Sequence, residues 1–339
     1  MRCAVERARE QTAKLIECNP DEVFFTSGGT EANNLAIRGV AAAIPARQHI
    51  LISVIEHPAT TGPAAWLEQQ GYRLSRVAVD SVGRVSPRNV QDSLGKETAL
   101  VSIMHANSET GTVQPIAEIT DMAHSAGALM HTDAAQSCGK IPVSTRLENV
   151  DLLSIAGHKL YAPQGVGALF VRAGTAIEPL ILGGGHEHGL RPGTENVASI
   201  VGLGQACEIA RRGLEEEGQR LGRLRDRLWS QLKEAIPAIA LNGCPDGRLP
   251  NTLNVRFPGV AGNALLAACP AIAASTGSAC HESGDRASDV ILAMGVPDED
   301  AICSVRLTLG RLNSGEEIDL AASELIKSWK GLKKNQSLV

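Results

Sequence analysis

This chain of 339 residues is poor in several features that would assign it to a familiar class. No apolar run approaches the ~18 residues of a membrane-spanning helix. No basic stretch followed by an apolar one opens the sequence, so a cytoplasmic rather than an exported protein is expected. The net charge is only −5, the pI is near 6.0, and charges of both signs are interspersed. There is no basic stripe for nucleic acid and no charge block for a disordered tail. Internal repeats and low-complexity linkers are absent as well. Of the eight cysteines (Cys3, Cys18, Cys138, Cys207, Cys244, Cys269, Cys280 and Cys303), none forms a Cys-x-x-Cys pair. In a chain this long they read as reduced thiols, most of them buried as small hydrophobes. Their spacing gives no support for zinc, and His186-Glu-His188 in a glycine loop reads as a polar loop rather than a metal site. Aromatics amount to 3% against 34 glycines, which points to close packing between elements.

What is plentiful is alternation. With 43% hydrophobic residues the chain can bury a sizeable core. Strand-like apolar runs at 23–26, 49–53, 72–77, 100–104, 129–132, 152–155 and 168–171 alternate with helix-like segments near 32–43, 60–70, 87–94 and 116–126. That order predicts an α/β domain on a mostly parallel sheet. Functional groups in such sheets gather at the carboxyl ends of the strands. A long helix over about 201–235 follows, with Leu214, Leu221, Leu224, Leu228 and Leu232 at helical spacing. Strand-like 252–257 and 304–309, a closing helix over 316–327 and a frayed tail from 331 complete a smaller C-terminal domain. The expected division is a large domain over 1–205, then a connecting helix and small domain over 206–339 that carries the Cys280 loop.

The most informative stretch is Asp151-Leu-Leu-Ser-Ile-Ala-Gly-His-Lys159. A strand runs out into Gly157-His158-Lys159, and a glycine-rich turn follows. A lysine held there away from bulk water loses its proton readily and attacks a carbonyl. A surface lysine after a strand is the plain alternative. It loses because His131-Thr-Asp133-Ala-Ala-Gln136 ends another strand with an aspartate. A Schiff-base lysine with an aspartate for a pyridinium nitrogen is the pair that pyridoxal phosphate needs.

Other segments carry weaker signals. Phe25-Thr-Ser-Gly-Gly-Thr30-Glu-Ala-Asn-Asn34 is a strand, a turn and a helix start, where free N–H groups favour a phosphate near Gly29 and Thr30. The same pattern also starts helices that bind nothing. His57 ends a strand and could serve a ligand or cap the next helix. His105-Ala-Asn107-Ser108-Glu109 ends another strand with polar groups in reach of a cofactor. The loop that holds Arg191-Pro-Gly-Thr194-Glu-Asn196 is too polar for a core, so it binds something or lies at an interface. Cys280, in a loop of small residues, is a nucleophile or a structural thiol at even weight. Arg306 sits on an apolar strand and needs a partner, either a substrate carboxylate or a structural ion pair.

Together these motifs resemble, in order and spacing, the NifS/IscS-like cysteine desulfurases and the related selenocysteine lyases. Both are class V aminotransferase-like enzymes of pyridoxal-phosphate fold type I. The resemblance runs from Phe25 to Arg311. It implies a large domain with a mostly parallel sheet plus a smaller α+β domain. It also implies pyridoxal 5′-phosphate on Lys159, with Asp133 at the ring nitrogen, Gln136 at the ring hydroxyl and His57 stacked on the ring as a proton shuttle. Gly29, Thr30 and His158 would hold the phosphate, and Thr194 would reach it from the other subunit of a homodimer. Asn107 and Arg306 would take the substrate and Ser108 would lie near the ring. Cys280 would accept sulfur from L-cysteine as a persulfide and pass it to an acceptor protein.

The chain departs from that pattern in three places. Met1 falls beyond the segment with an Asp-Asn-Ala-Ala-Thr-like run with which family members begin, so a shortened chain is expected. Ser108 replaces the second Asn of an Asn-Asn-Glu run. Ala156 replaces a phosphate-binding Ser, and there, as at Cys280-His281, the chain resembles the lyases. Selenocysteine lyase activity and an inactive paralogue that binds a partner are the alternatives to the desulfurase.

Overall fold

The computed structural model describes residues 2–277 and 286–336. The chain folds as two compact units. The first holds Met1–Ala78, Val85–Ala106 and Gln114–Leu214, and the second holds Val79–Arg84, Asn107–Val113 and Glu215–Val339.

The first unit contains α1 (Arg2–Ile16), β1 (Val23–Thr26), α2 (Gly29–Ala43), β2 (His49–Ser53), α3 (Pro58–Gln69), β3 (Arg73–Val77) and α4 (Pro87–Ser93). It continues with β4 (Thr98–Ser102), α5 (Ile116–Ser125), β5 (Leu129–Asp133), β6 (Leu152–Ala156), β7 (Gly167–Val171) and the start of α6 (Val197–Ala235). The strands form one sheet in the order β1-β7-β6-β5-β4-β2-β3. Neighbours from β3 through β6 are parallel, while β7 runs antiparallel to β6 and to β1. Strands β2, β4, β6 and β7 are buried along their whole length, which is why they read as unbroken apolar runs. Leu35, Ile37 and Val40 of α2 pack against Ile50, Ile52, Leu100, Leu152 and Leu169 of the sheet.

Two histidines inside this sheet are fully satisfied. His49 on β2 bonds Thr98 Oγ1 of β4 at 2.8 Å and Ser75 Oγ of β3 at 2.9 Å. His131 on β5 bonds Ser102 Oγ of β4 at 2.8 Å and Ser154 Oγ of β6 at 2.9 Å. Burial pushes their pKa values down, to about 4 for His49 and about 3 for His131.

The second unit contains the rest of α6, a sheet of β8 (Ala240–Asn242), β9 (Thr252–Arg256) and β10 (Ser304–Thr308), and the helices α7 (Gly262–Ala267), α8 (Asp289–Ala293), α9 (Asp298–Ala301) and α10 (Gly315–Gln336). Its strands are antiparallel in the order β10-β9-β8. Leu228 and Leu232 of α6 join Leu253, Val255, Phe257, Val305 and Leu325 in its core.

Several element boundaries differ from expectation. Helix α1 was not foreseen, although Val5, Ala8, Thr12, Leu15 and Ile16 are buried at helical spacing. Helix α2 takes the glycine turn as its own first turn, and β4 stops at Ser102. The tail expected to fray from 331 is helical through Gln336, because Trp329 and Leu332 pack on the second unit's core. Among the described residues no helix is long and apolar enough to cross a membrane.

Candidate active site

Asp133 is the last residue of β5 and is buried. Its Oδ2 accepts from Asn33 Nδ2 at 2.7 Å and its Oδ1 from Ala135 N at 2.9 Å. Asn33 lies one turn into α2 and also donates to Thr60 Oγ1 at 3.2 Å. Two donors therefore aim the carboxylate, and each oxygen has lone-pair capacity beyond the bond it accepts.

Lys159 follows β6 in a single 3-10 turn, Gly157–Leu160, and is exposed there. A Cβ on Gly157 would lie 2.7 Å from Val166 O, so only glycine lets this turn form against β7. Tyr161 closes it at φ 64, an uncommon value outside glycine. His57 is half-buried, and its Nδ1 accepts from Ala59 N at 3.1 Å, capping α3. With Nδ1 an acceptor, the neutral ring carries its proton on Nε2. The basicity of His57 is lowered by burial, supported by Asp133 and lowered further by Lys159, so these three groups share one neighbourhood. Next to His57, Glu56 is buried. Ser53 Oγ donates to its Oε1 at 2.5 Å and Met104 N to both its oxygens, and burial pushes its pKa up to about 8.

At the start of α2, Gly28 takes the N-cap position without a side-chain cap, and Thr30 is exposed. A Cβ on Gly29 would come within 3.1 Å of Ala156 Cβ, so this helix start rests against the end of β6. His158 is exposed on the Lys159 turn, and burial of its ring, then Lys159, then Lys140 lower its basicity. Gln136 is half-buried, and its carbonyl accepts from Lys140 Nζ at 2.7 Å.

The 183–196 loop is fixed by a buried ion pair. Arg9 donates from Nη1 and Nη2 to the two carboxylate oxygens of Glu187 at 2.8 Å, and Phe25 N adds a third bond at 2.8 Å. Glu187 and His188 adopt left-handed backbone, at φ 47 and φ 55. Arg191 pairs with Glu31 at 2.8 Å, and Thr194 is exposed. Thr26, Ser27, Arg191, Thr194 and Asn196 line a small cavity beside this loop.

In the second unit Asn107 is buried. Its Oδ1 accepts from Glu109 N and Thr110 N, both at 2.9 Å, so this oxygen is spent on its own turn. Arg306 on β10 donates to Ser108 O at 3.1 Å. Burial lowers its pKa and the nearby Glu109 opposes that shift. Glu109 itself accepts from Ser288 Oγ at 2.6 Å. Cys280 and His281 lie outside the described residues.

Known proteins decide the family. Residues 1–320 match the family described as "Aminotransferase class-V". Cysteine desulfurase IscS of Dictyoglomus turgidum is 45% identical over 321 residues, covering 94% of this chain and 82% of that protein. A solved "NIFS-like protein" superposes with a TM-score of 0.89 at 36% identity, covering 98% of this chain and 88% of the other. The structure titled "SspA in complex with cysteine" has a TM-score of 0.79 at 34% identity, covering 90% of this chain and 86% of the other.

The chain belongs to the class-V aminotransferases.

Pyridoxal 5′-phosphate is the cofactor of this family, and the first unit of this class-V chain fits it. Asp133 presents an aimed carboxylate for a ring N–H, Lys159 presents an amine, and the start of α2 presents N–H groups without a side-chain cap. Among the described residues no cluster of His, Cys, Asp and Glu could hold a metal. Sequence reading missed Asn33, Lys140 and the Arg9–Glu187 pair. Asn33 stands in the Thr-Glu-Ala-Asn-Asn run and was legible by its position one turn after Gly29. Lys140 and Glu187 are marked only by contacts that the fold creates.

Proposed function

We propose that this chain is a pyridoxal-phosphate-dependent cysteine desulfurase, converting L-cysteine to L-alanine with transfer of sulfur to Cys280. The observation that carries the reading is the Asp133–His57–Lys159 grouping at the ends of β5, β2 and β6 in a class-V chain. When bound, the cofactor supplies an electron sink for charge developing at the substrate Cα. Lys159 would hold the cofactor and, as a neutral amine, would move the α-proton of the substrate. Asp133 stabilises the protonated ring nitrogen, and Asn33 keeps that carboxylate in place. His57, weakened as a base by burial, would serve the cofactor as a neutral imidazole and carry protons there. Gln136 bonds the ring hydroxyl with Ser108 close by, and Gly29, Thr30 and His158 hold the phosphate. Arg306 and Asn107 take the substrate. The Cys280 thiolate attacks the substrate sulfur: an S–S bond forms as the Cβ–S bond breaks, and the alanine fragment keeps the electron pair and takes up a proton. The reading includes a homodimer in which Thr194 reaches the neighbouring phosphate, a sulfur-acceptor protein, and a reducing cytoplasm, in keeping with the free thiols among the described residues.

A second reading, selenocysteine lyase, has one observation in its favour. Ala156 faces the start of α2 and brings no hydroxyl to it. Cys280→Ser separates the two. For a desulfurase the variant keeps the cofactor spectrum yet loses alanine and sulfide release from cysteine, because serine has no accessible anion near neutral pH. Selenide release from selenocysteine that survives the substitution favours the lyase. Release of alanine and sulfide at the wild-type rate makes Cys280 a structural thiol and sinks the persulfide step.

A further inference from the structure

Glu56 has no part in the reading above, yet it is bonded into the carboxyl edge of the sheet. Strand β2 pairs with β4 as far as Ile52 and Ser102 and ends at Ser53. The chain then turns away at Val54 and Ile55. The segment after β4 keeps its hold on β5, with Ile103 N donating to His131 O at 3.1 Å and His105 N to Asp133 O at 2.9 Å. Met104 N lies between these two bonds and meets the Glu56 carboxyl instead of a strand. It donates to both oxygens, at 3.0 and 3.1 Å, while Ser53 Oγ donates to Oε1 at 2.5 Å. Satisfying a buried N–H that β2 has left behind explains an acceptor at this place.

The same carboxyl also fixes the residue that follows it. His57 is held on its far side by the start of α3. Ala59 N donates to its Nδ1 at 3.1 Å, Thr60 N and Thr61 N donate to its carbonyl at 2.8 and 3.1 Å, and Pro58 keeps its backbone extended at φ −67 and ψ 151. On its near side Val54 N donates to Val77 O at 3.0 Å, and Glu56 ties the turn to Met104. A path of covalent and hydrogen bonds thus runs from His57 through Glu56, Met104 and His105 to Asp133, two strands away.

We propose that Glu56 is a positioning residue for His57: its carboxyl pegs the turn after β2 to Met104 N and so holds the imidazole at a set place relative to Asp133. The proposal rests on the reading of His57 as a residue that serves the cofactor. Burial pushes the Glu56 carboxyl up to about 8, the bonds from Ser53 and Met104 oppose that shift, and Asp133 adds to it. Near pH 7 the peg is therefore mostly uncharged and sets no second negative charge beside Asp133.

The first test uses cofactor-free protein. Magnetic resonance of 13C-labelled histidines follows each ring against pH. Glu56→Met keeps the length and removes the acceptors. His57 should then leave its buried place, and its titration should rise toward the ordinary midpoint of about 6.5. Asp133 and Lys159, the charged groups that act on His57, are untouched by the substitution. The resonances of His49 and His131 at pH 7 should stay where they are. Glu56→Gln still offers an oxygen to Met104 N and should keep His57 as in wild type. If circular dichroism shows Glu56→Met unfolded, Glu56→Asp replaces it, one methylene short of Met104 N. A His57 titration that does not move when the peg is lost overturns the proposal. So does a shift of His57 together with His49 and His131, since the whole sheet would then have changed. A Gln variant that behaves like Met overturns it as well.

The second test uses the loaded enzyme. Glu56→Met should weaken the visible circular dichroism of bound pyridoxal phosphate and lower kcat for alanine release by at least about tenfold with KM little changed, and Glu56→Gln should restore both. If His57 moves in the cofactor-free variant while kcat holds, the peg stands and His57 loses its part in the reaction.

Discussion

The interior of the central sheet and its carboxyl edge use the same residue types to different ends. Inside, His131 is displaced from its usual acidity by burial alone, and a serine on each side satisfies both nitrogens. At the edge, burial and Lys159 lower both His57 and His158, Lys140 lowers His158 further, and Asp133 opposes the shift of His57. The interior histidines act as neutral rungs between strands. The edge histidines sit in a field set by groups that can change charge. A perturbed histidine is therefore not by itself a sign of chemistry, since His49 inside the sheet feels Arg73 and Glu97 as well as burial, and a place at the carboxyl ends of the strands is the better guide.

If that distinction holds, removing an edge group should cost activity and little stability. Lys159→Ala should lower turnover by at least about 10³-fold. Borohydride should then leave no adduct, while the thermal midpoint stays within about 2 °C, as for an exposed side chain. Calorimetry beside an alanine-release assay checks both halves. Wild-type turnover in this variant would break the comparison.

The interior should answer to pH through stability. Above about pH 6.5 His49 and His131 are neutral in folded and unfolded chains alike. Below it the unfolded chain takes up protons that the folded chain refuses until about pH 4 and about pH 3. Each ring thus costs about 1.4 kcal/mol of stability per pH unit of acidification. Glu56 works in the opposite sense. Its folded pKa of about 8 lets the folded chain bind a proton first, so it adds stability as pH falls from 8 toward 4.5. His57 and His158, both lowered, add to the loss. Four lowered histidines against one raised carboxyl give a net loss of stability between pH 6.5 and 5. Urea melts at pH 7 and pH 5 that share a midpoint would contradict it.

The smallest effect sharpens the boundary between the two regions. Asn33 is fully buried, but its amide serves Asp133 at the edge. Asn33→Ala should weaken retention of pyridoxal phosphate by about tenfold, the worth of one hydrogen bond to a charged group. Spectral titration of cofactor-free protein measures it, and unchanged affinity would make Asn33 a core residue only.

Much of this was legible along the chain. Strands β2, β5 and β6 were readable because each is a short apolar run bounded by turn residues, and Asp133 and Lys159 were readable because polar groups end two of them. The pattern failed where meaning depends on what the fold brings near. Asn33 and Asp133 are 100 residues apart. Helix α1 hides its buried side among arginines and glutamates, because Arg9 itself is buried in an ion pair. Asn107–Val113 groups with Glu215–Val339 through bonds such as Leu249 N to Gly111 O, which no local periodicity announces.

The Arg9–Glu187 pair spans 178 residues. A ribosome adding roughly 5–20 residues per second makes Arg9 some 10 to 35 seconds before its carboxylate exists. Throughout that interval the first helix carries a guanidinium that cannot be enclosed without its counter-charge. Helix α1 is made long before the loop that holds Glu187, yet it cannot settle until that loop exists. During synthesis its apolar side is exposed to whatever else in the cell binds unfinished chains.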